Sequence, residues 1–218
     1  MTKTIILLLS LLTFSILFSQ NGNLPLSKDS DTLNYKNIRT KENIVFGLQE
    51  INKENLDSVF RLQTSNFLLE IRKTKNVISG NVYYFVKEML EDNDSVGIFK
   101  KVFKLKKEQV YLLSNLIESS KIKKIPSDIY IPNWSYGIDG ITYTIEYVEN
   151  ETLYFKKYWT PEIQENVESA KSIIHFISEL NKIIESKKLI KKFNRKIPFE
   201  RWSWNGFGTD KKRAKSYE

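Results

Sequence analysis

Asp139 and Glu146 are the residues of this chain whose type and spacing come nearest to catalysis. Acid/base hydrolysis of a glycosidic bond needs two carboxyl groups facing one substrate. A separation of seven residues is odd, so an uninterrupted strand sends the two to opposite faces, and a bulge at Gly140 would return them to one. The competing reading makes Asp139-Gly140 an Asx-type turn and Glu146 a solvent-facing acid that pairs with Lys156 or Lys157 across a hairpin. His175 is the one histidine, which excludes a multi-histidine metal site and obliges any Ser-His-Asp arrangement to use it. Its place in a helix, between Ile174 and Phe176, reads as a surface imidazole. The chain has no cysteine, so thiol catalysis, cysteine–zinc sites and disulfides are excluded. Asp92 and Asp94 offer oxygen ligands, but Glu91 to Ser95 lacks the spacing and glycine of an EF-hand loop and reads as a solvated acidic turn. The eight glycines form no phosphate-cradling loop. Neither a metal, a cofactor nor a nucleotide is expected.

Aromatic residues give the second kind of candidate. Trp134, Tyr136, Tyr143, Tyr147, Tyr154, Tyr158 and Trp159 cluster in the sequence, either as a platform that stacks on sugars or peptides or as cross-strand pairs that fill a core. Farther on, Lys191-Lys192-Phe193, Arg195-Lys196, Phe199 and Arg201-Trp202-Ser203-Trp204 interleave charge with aromatics. Such a stretch meets an anionic envelope polymer or a protein partner, or folds back so that Phe199, Trp202 and Trp204 are covered. The binding residues singled out are Trp134, Tyr143, Tyr158, Trp159, Arg201, Trp202 and Trp204.

The elements that must position these residues follow from periodicity. Ile141, Tyr143, Ile145 and Tyr147 alternate with Thr142, Thr144 and Glu146, which predicts a half-buried antiparallel strand. Glu149 to Glu151 makes a turn, and Thr152 to Trp159 is the returning strand of a hairpin. Thr160-Pro161 supplies an N-cap hydroxyl and an N1 proline for a long amphipathic helix carrying Ile163, Val167, Ala170, Ile174, Ile177, Leu180 and Ile184. Upstream, alternating apolar residues from Ile44 to Leu48, around Phe60, from Phe67 to Ile71, from Val82 to Val86 and from Val96 to Leu105 read as strands. Lys73 to Asn76 and Glu91 to Asp94 are turns, and Gly80-Asn81 a bulge or tighter hairpin. Short spacings favour a meander over βαβ units. Val110, Leu113, Leu116 and Ile117 predict a shorter helix over residues 106–120.

Residues 1–19, with Lys3 and the apolar run Ile5 to Phe18, read as a secretory signal peptide cut after Ser19, because the run is shorter than the roughly 20 residues of a membrane span. A secreted or periplasmic protein with no transmembrane span in its mature chain follows. Residues 20–42 show no sustained period and read as a mobile leader, 43–186 as one domain, and 187–218 as a basic, aromatic-containing C-terminal tail. That tail holds eleven Lys or Arg against three acidic residues and so accounts for the formal net charge of +8; basicity belongs to it rather than to a groove across the body.

Ile125-Pro126, Asp139-Gly140, the strand Tyr143 to Glu146, the strand Tyr154 to Tyr158 and Trp159-Thr160-Pro161 together resemble a recurrent, uncharacterised domain of exported bacterial proteins of the Bacteroidetes type. The resemblance spans about residues 105–185 and implies a fold unit without an activity. The expectation is an α+β protein, an antiparallel β-meander of six or seven strands with two helices packed on one face. In function it reads as a non-enzymatic binding or envelope-associated module. A hydrolase of cell-wall or extracellular polysaccharide using Asp139 and Glu146, and a small inhibitor or immunity-type protein, are the alternatives.

Overall fold

The computed structural model of the chain describes residues 24–35, 46–48, 51, 58–75, 77–90 and 97–211. The expected signal peptide and the acidic turn with Asp92 and Asp94 lie outside them. Among the described residues eight strands form one antiparallel sheet, accompanied by helices, which is the α+β class. β1 (Ser58–Gln63), β2 (Phe67–Thr74), β3 (Val77–Glu88) and β4 (Ile98–Lys104) are a meander. After α1 (Lys107–Ser119), the hairpin of β5 (Thr142–Glu149) and β6 (Thr152–Trp159) pairs with the free side of β1. Helices α2 (Glu168–Ile183) and α3 (Ser186–Asn194) follow, then the hairpin of β7 (Arg201–Trp204) and β8 (Phe207–Asp210). β3 outruns β2: it pairs with β2 through residues 77–84, and its last two residues, Lys87 and Glu88, take β7.

Register explains the main core. Ile145, Leu62, Leu69 and Val82 are opposite one another across β5, β1, β2 and β3, as are Tyr147, Phe60, Ile71 and Gly80. These apolar residues cluster with Val110, Leu113 and Ile117 of α1, Ala170, Ile173, Phe176 and Leu180 of α2, and Phe193 of α3. Gly80 is an interior position of β3, not the expected bulge or hairpin: a Cβ there would lie 2.8–3.0 Å from Ile71, Leu105 and Val110, so its missing side chain makes room for the start of α1.

The alternate residues of the same strands are also covered, which corrects the expectation of a half-buried sheet. Thr144 and Glu146 are buried, as are Arg61, Gln63 and Glu70 on the neighbouring strands. Two small apolar clusters flank these polar residues, one of Phe46, Leu68 and Phe85, the other of Ile51, Val59 and Leu153 with Leu24, Leu26 and Tyr35 packed against it. Phe46 to Leu48, expected as a strand, thus lies outside the sheet and serves as cover.

Residues 24–31, expected within a mobile leader, run along the outer edge of β6. Ser27 N–H donates to Leu153 O (2.8 Å), Leu153 N–H to Pro25 O (2.9 Å), Asp31 N–H to Phe155 O (2.9 Å), and Phe155 N–H to Ser30 Oγ (3.0 Å). Lys157 N–H donates to Ser127 Oγ (2.9 Å) and Trp159 N–H to Asp128 Oδ2 (2.8 Å), completing the edge. Lys156, wholly buried, ties this cover down: its ammonium donates to Lys123 O (2.7 Å), Ile125 O (2.8 Å) and Asp29 Oδ2 (3.0 Å). The β5–β6 turn is two residues, Asn150 and Glu151, both at positive φ (50° and 57°), the form whose twist suits a hairpin.

The long helix starts later than predicted. Pro161–Ile163 is a 3-10 turn, and α2 begins at Glu168. Gln164 is the cause: its amide accepts from Ser135 N–H (2.8 Å) and donates to Ser135 O (2.9 Å) and Thr160 O (3.4 Å), pinning residues 160–164 to the loop before β5. The C-terminal stretch is likewise part of the fold through Asp210, since Phe193, Ile197 and Trp202 join the main core while Lys187, Lys188, Lys192, Arg195, Lys196 and Arg201 stay exposed. An amphipathic period hidden under a lysine-rich composition accounts for the difference.

Burial of tyrosines gives a pH prediction. Tyr84 is pushed up to about 12 by burial, and burial first also raises Tyr143, Tyr147 and Tyr158, with Glu162 beside Tyr143 and Asp29 near Tyr147 adding to it. Values raised on folding contribute stability that is present below the unfolded tyrosine value of about 10 and is lost as pH climbs through the folded ones. The tyrosinate absorbance of these residues is expected to appear together with loss of far-UV circular dichroism. Full ionisation at about pH 10 with the fold intact would contradict it.

Candidate functional site

One pocket of about 180 Å³ opens at the end of the sheet where four parts of the chain meet. The β1–β2 turn brings Thr64, Asn66 and Phe67; β5 and the residue before it bring Tyr143 and Ile141; α2 and α3 bring Ile177, Leu180, Asn181, Ser186 and Ile190; the β7–β8 turn brings Trp204 and Asn205.

Asn66 is the joint that holds this site together. Its backbone carbonyl accepts from Phe85 N–H (3.1 Å), continuing the β2–β3 ladder one step beyond Phe67. Its side-chain amide donates to Phe85 O (2.8 Å) and Ser203 O (3.3 Å) and accepts from Asn205 N–H, handing the ladder over to β7. Asn205 and Gly206, at φ 50° and 85°, form a two-residue hairpin turn that sets Trp204 beside the pocket. The Trp204 ring stacks on Tyr84 (centroids 6.2 Å, 23°) and lies near Phe193, while Tyr84 also touches Phe67 (5.5 Å). One wall is therefore aromatic.

The other walls are neutral and polar. Tyr84 Oη and Ser186 Oγ are 3.4 Å apart, and Tyr143 donates its hydroxyl proton to Glu162 Oε1 (2.6 Å). The side chains of Thr64, Asn181 and Asn205 make no hydrogen bond among the described residues, and each is partly exposed. Among the described residues none that lines the pocket carries a charge, although the chain as a whole is strongly basic. The cavity thus has apolar aromatic surface on one side and unengaged donors and acceptors on the others.

Two of the sequence candidates, Tyr143 of the aromatic hairpin and Trp204 of the C-terminal stretch, meet in this pocket. The others are elsewhere. Tyr158 is buried with its hydroxyl on Ile125 O (2.9 Å), Trp134 is buried with its indole N–H on Trp159 O (3.0 Å), and Trp202 is in the core. Trp159 lies across Gly137 and Gly140, at either of which a Cβ would come within 3 Å of its ring, and Arg201 is exposed. A continuous aromatic platform is therefore not formed. Gly140 is required by that close approach.

Asp139 is exposed in the loop before β5, whereas Glu146 is buried in mid-sheet, its Oε2 3.0 Å from Arg61 Nη1. Nor does Glu146 face solvent opposite Lys156 or Lys157, because its strand face is covered. Arg61 also binds Glu70, with Nε at 2.8 Å and Nη2 at 2.7 Å, and Arg72 reaches the same carboxylate at 3.3 Å. Glu146, Arg61 and Glu70 are direct cross-strand neighbours, so register alone builds the row. Burial alone would lower the Arg61 value, but Glu146 and Glu70 override it and raise it. His175 is exposed on α2. Among the described residues no group of three or more His, Asp or Glu is placed to hold a metal ion, and no helix is long and apolar enough to cross a membrane.

Asn66, Asn181 and Asn205 are site residues that the sequence analysis above does not single out. For Asn205 a signal existed: Asn205-Gly206 is the strongest short hairpin signature there is, and it placed Trp204 and Phe207 opposite each other. Asn66 and Asn181 had none, since each gains meaning only through elements distant in sequence.

Compared with protein-family models, curated proteins and solved structures, the chain matches none of them.

Proposed function

We propose that the protein is an exported, non-enzymatic binding module whose ligand site is the pocket formed by the β1–β2 turn, the α2–α3 junction and the β7–β8 turn. In this reading α1, α2 and α3 form one layer on the sheet face that carries Tyr84 and Tyr143, and the pocket is the gap left where that layer ends. The observation that carries it is convergence: Tyr143 and Trp204, 61 positions apart, line one cavity with side chains whose hydrogen-bonding capacity is unused. Empty polar capacity beside aromatic surface is what a ligand site offers before it is filled. The Asp139–Glu146 hydrolase reading has no comparable support, because Arg61 engages the one and the other is exposed at the surface.

Labelling the four tryptophans with fluorine gives a direct test. A screen of small neutral and charged molecules is expected to move the Trp204 resonance, assigned through Trp204→Phe, and to leave those of buried Trp134 and Trp202 in place. Shifts confined to the other tryptophans, or none at all, would overturn the assignment. Export is read separately from the mass of the mature chain, expected to begin at Gln20.

A further inference from the structure

We infer that the ligand of this pocket is a neutral pyranose ring, presented as one unit of a glycan; the inference rests on the binding reading above. Size sets the first limit. At about 180 Å³ the cavity is below the roughly 300 Å³ at which pockets take drug-sized molecules, so it admits one ring or a group of that size. Charge sets the second. Among the described residues no ionised side chain lines the cavity, and a charged ligand would be desolvated there without a partner. The third limit comes from Thr64, Asn181 and Asn205. A wholly apolar ligand would cover their unengaged amides and hydroxyl and leave them unpaired, which is unfavourable.

What satisfies all three limits is a molecule with an apolar face and a rim of groups that both donate and accept. A pyranose has that form: its axial C–H bonds make a flat apolar face, and its hydroxyls ring the edge. Half-buried Trp204, backed by buried Tyr84, supplies the surface for the face. An amide offers donor and acceptor side by side and a hydroxyl offers both at one atom, so Asn181, Asn205 and Thr64, from three separate elements, match hydroxyls in different directions.

The test titrates the fluorotryptophan-labelled protein with uncharged methyl glycosides, including N-acetylated ones, and in parallel with uronic acids, nucleosides and blocked dipeptides. At least one neutral glycoside is expected to move the Trp204 resonance saturably, with a Kd of about 1 mM for a single ring and little change between low and high salt. Asn181→Ala and Asn205→Gly are each expected to weaken that binding about tenfold. The first removes an amide from a helix surface, and the second keeps the positive φ of the turn, so each variant should fold. If nucleosides or dipeptides move Trp204 and no glycoside does, the pocket binds ligands and the sugar assignment is wrong. If nothing moves Trp204, the binding reading fails with it. Binding confined to uronic acids and lost at high salt would also overturn the inference.

Discussion

Arg61→Met is expected to lower the unfolding free energy by about 3–5 kcal/mol, a large fraction of what a domain of this size possesses. The guanidinium is 2% exposed and is held between Glu70 and Glu146 in the middle of the sheet. Methionine fills most of the volume, so the loss is electrostatic: two carboxylates stay buried on β2 and β5, either side of β1, with the cation between them removed, while Arg72 stays 3.3 Å from Glu70. The decisive comparison is the triple replacement with Glu70→Leu and Glu146→Leu. Taking out the whole row removes the buried charges of Arg61, Glu70 and Glu146 together, at the cost of the Arg72–Glu70 contact, and it is expected to recover most of the loss. Urea midpoints at constant m-value measure both. A change below about 1 kcal/mol for Arg61→Met would mean that water reaches the row and that the sheet's second face is open.

Trp202→Ala is expected to cost about 3–5 kcal/mol, the range for emptying a large aromatic site in a core. Trp202 is 2% exposed, within the same cluster as Phe193 and Ile197. β7 is also bound to β3 through its backbone, and Met89 N–H donates to Arg201 O (3.0 Å). Phe207, on the next strand and 68% exposed, is the control: Phe207→Ala should stay within about 0.5 kcal/mol. Equal effects at the two positions would mean that β7 and β8 are not docked as described. By the same packing, removal of Lys187–Glu218 is expected to unfold the body, because it strips Phe193, Ile197 and Trp202 from the core.

Much of the sheet was legible because its strands alternate. The meander from β1 to β4 and the β5–β6 hairpin fell where period-two patterns and turn residues put them, and α1 where a period of 3.6 did. Three features were not legible, each for a physical reason. Burial of Arg61, Glu70 and Glu146 depends on cover from Phe46 and Ile51, which lie outside the sheet, and from residues 24–35, which show no period, so a strand with charged alternate positions reads as half-solvated. The start of α2 was misplaced because Thr160-Pro161 is a good local cap signal, and the bonds from Gln164 to Ser135 that defeat it come from a loop 29 residues upstream. The C-terminal stretch read as a tail because lysines dominate its composition, although Leu189, Ile190 and Phe193 occupy one helical face. Of the pocket, Tyr143 and Trp204 were visible as residues and their meeting was not.

The seal on β6 has a consequence for the order in which the sheet is completed. The bond from Phe155 N–H to Ser30 Oγ joins residues 125 positions apart, and the one from Asn205 N–H to Asn66 joins residues 139 apart. Contacts of such separation close the largest loops and therefore form after local ones such as the β5–β6 hairpin. One outer strand is thus sealed by a segment that precedes the sheet in sequence, and the ladder beyond β2 is finished by one that follows it. During refolding, β6 carries bare backbone donors and acceptors after its own hairpin has formed, and this interval is when two copies of the chain are most apt to pair with each other.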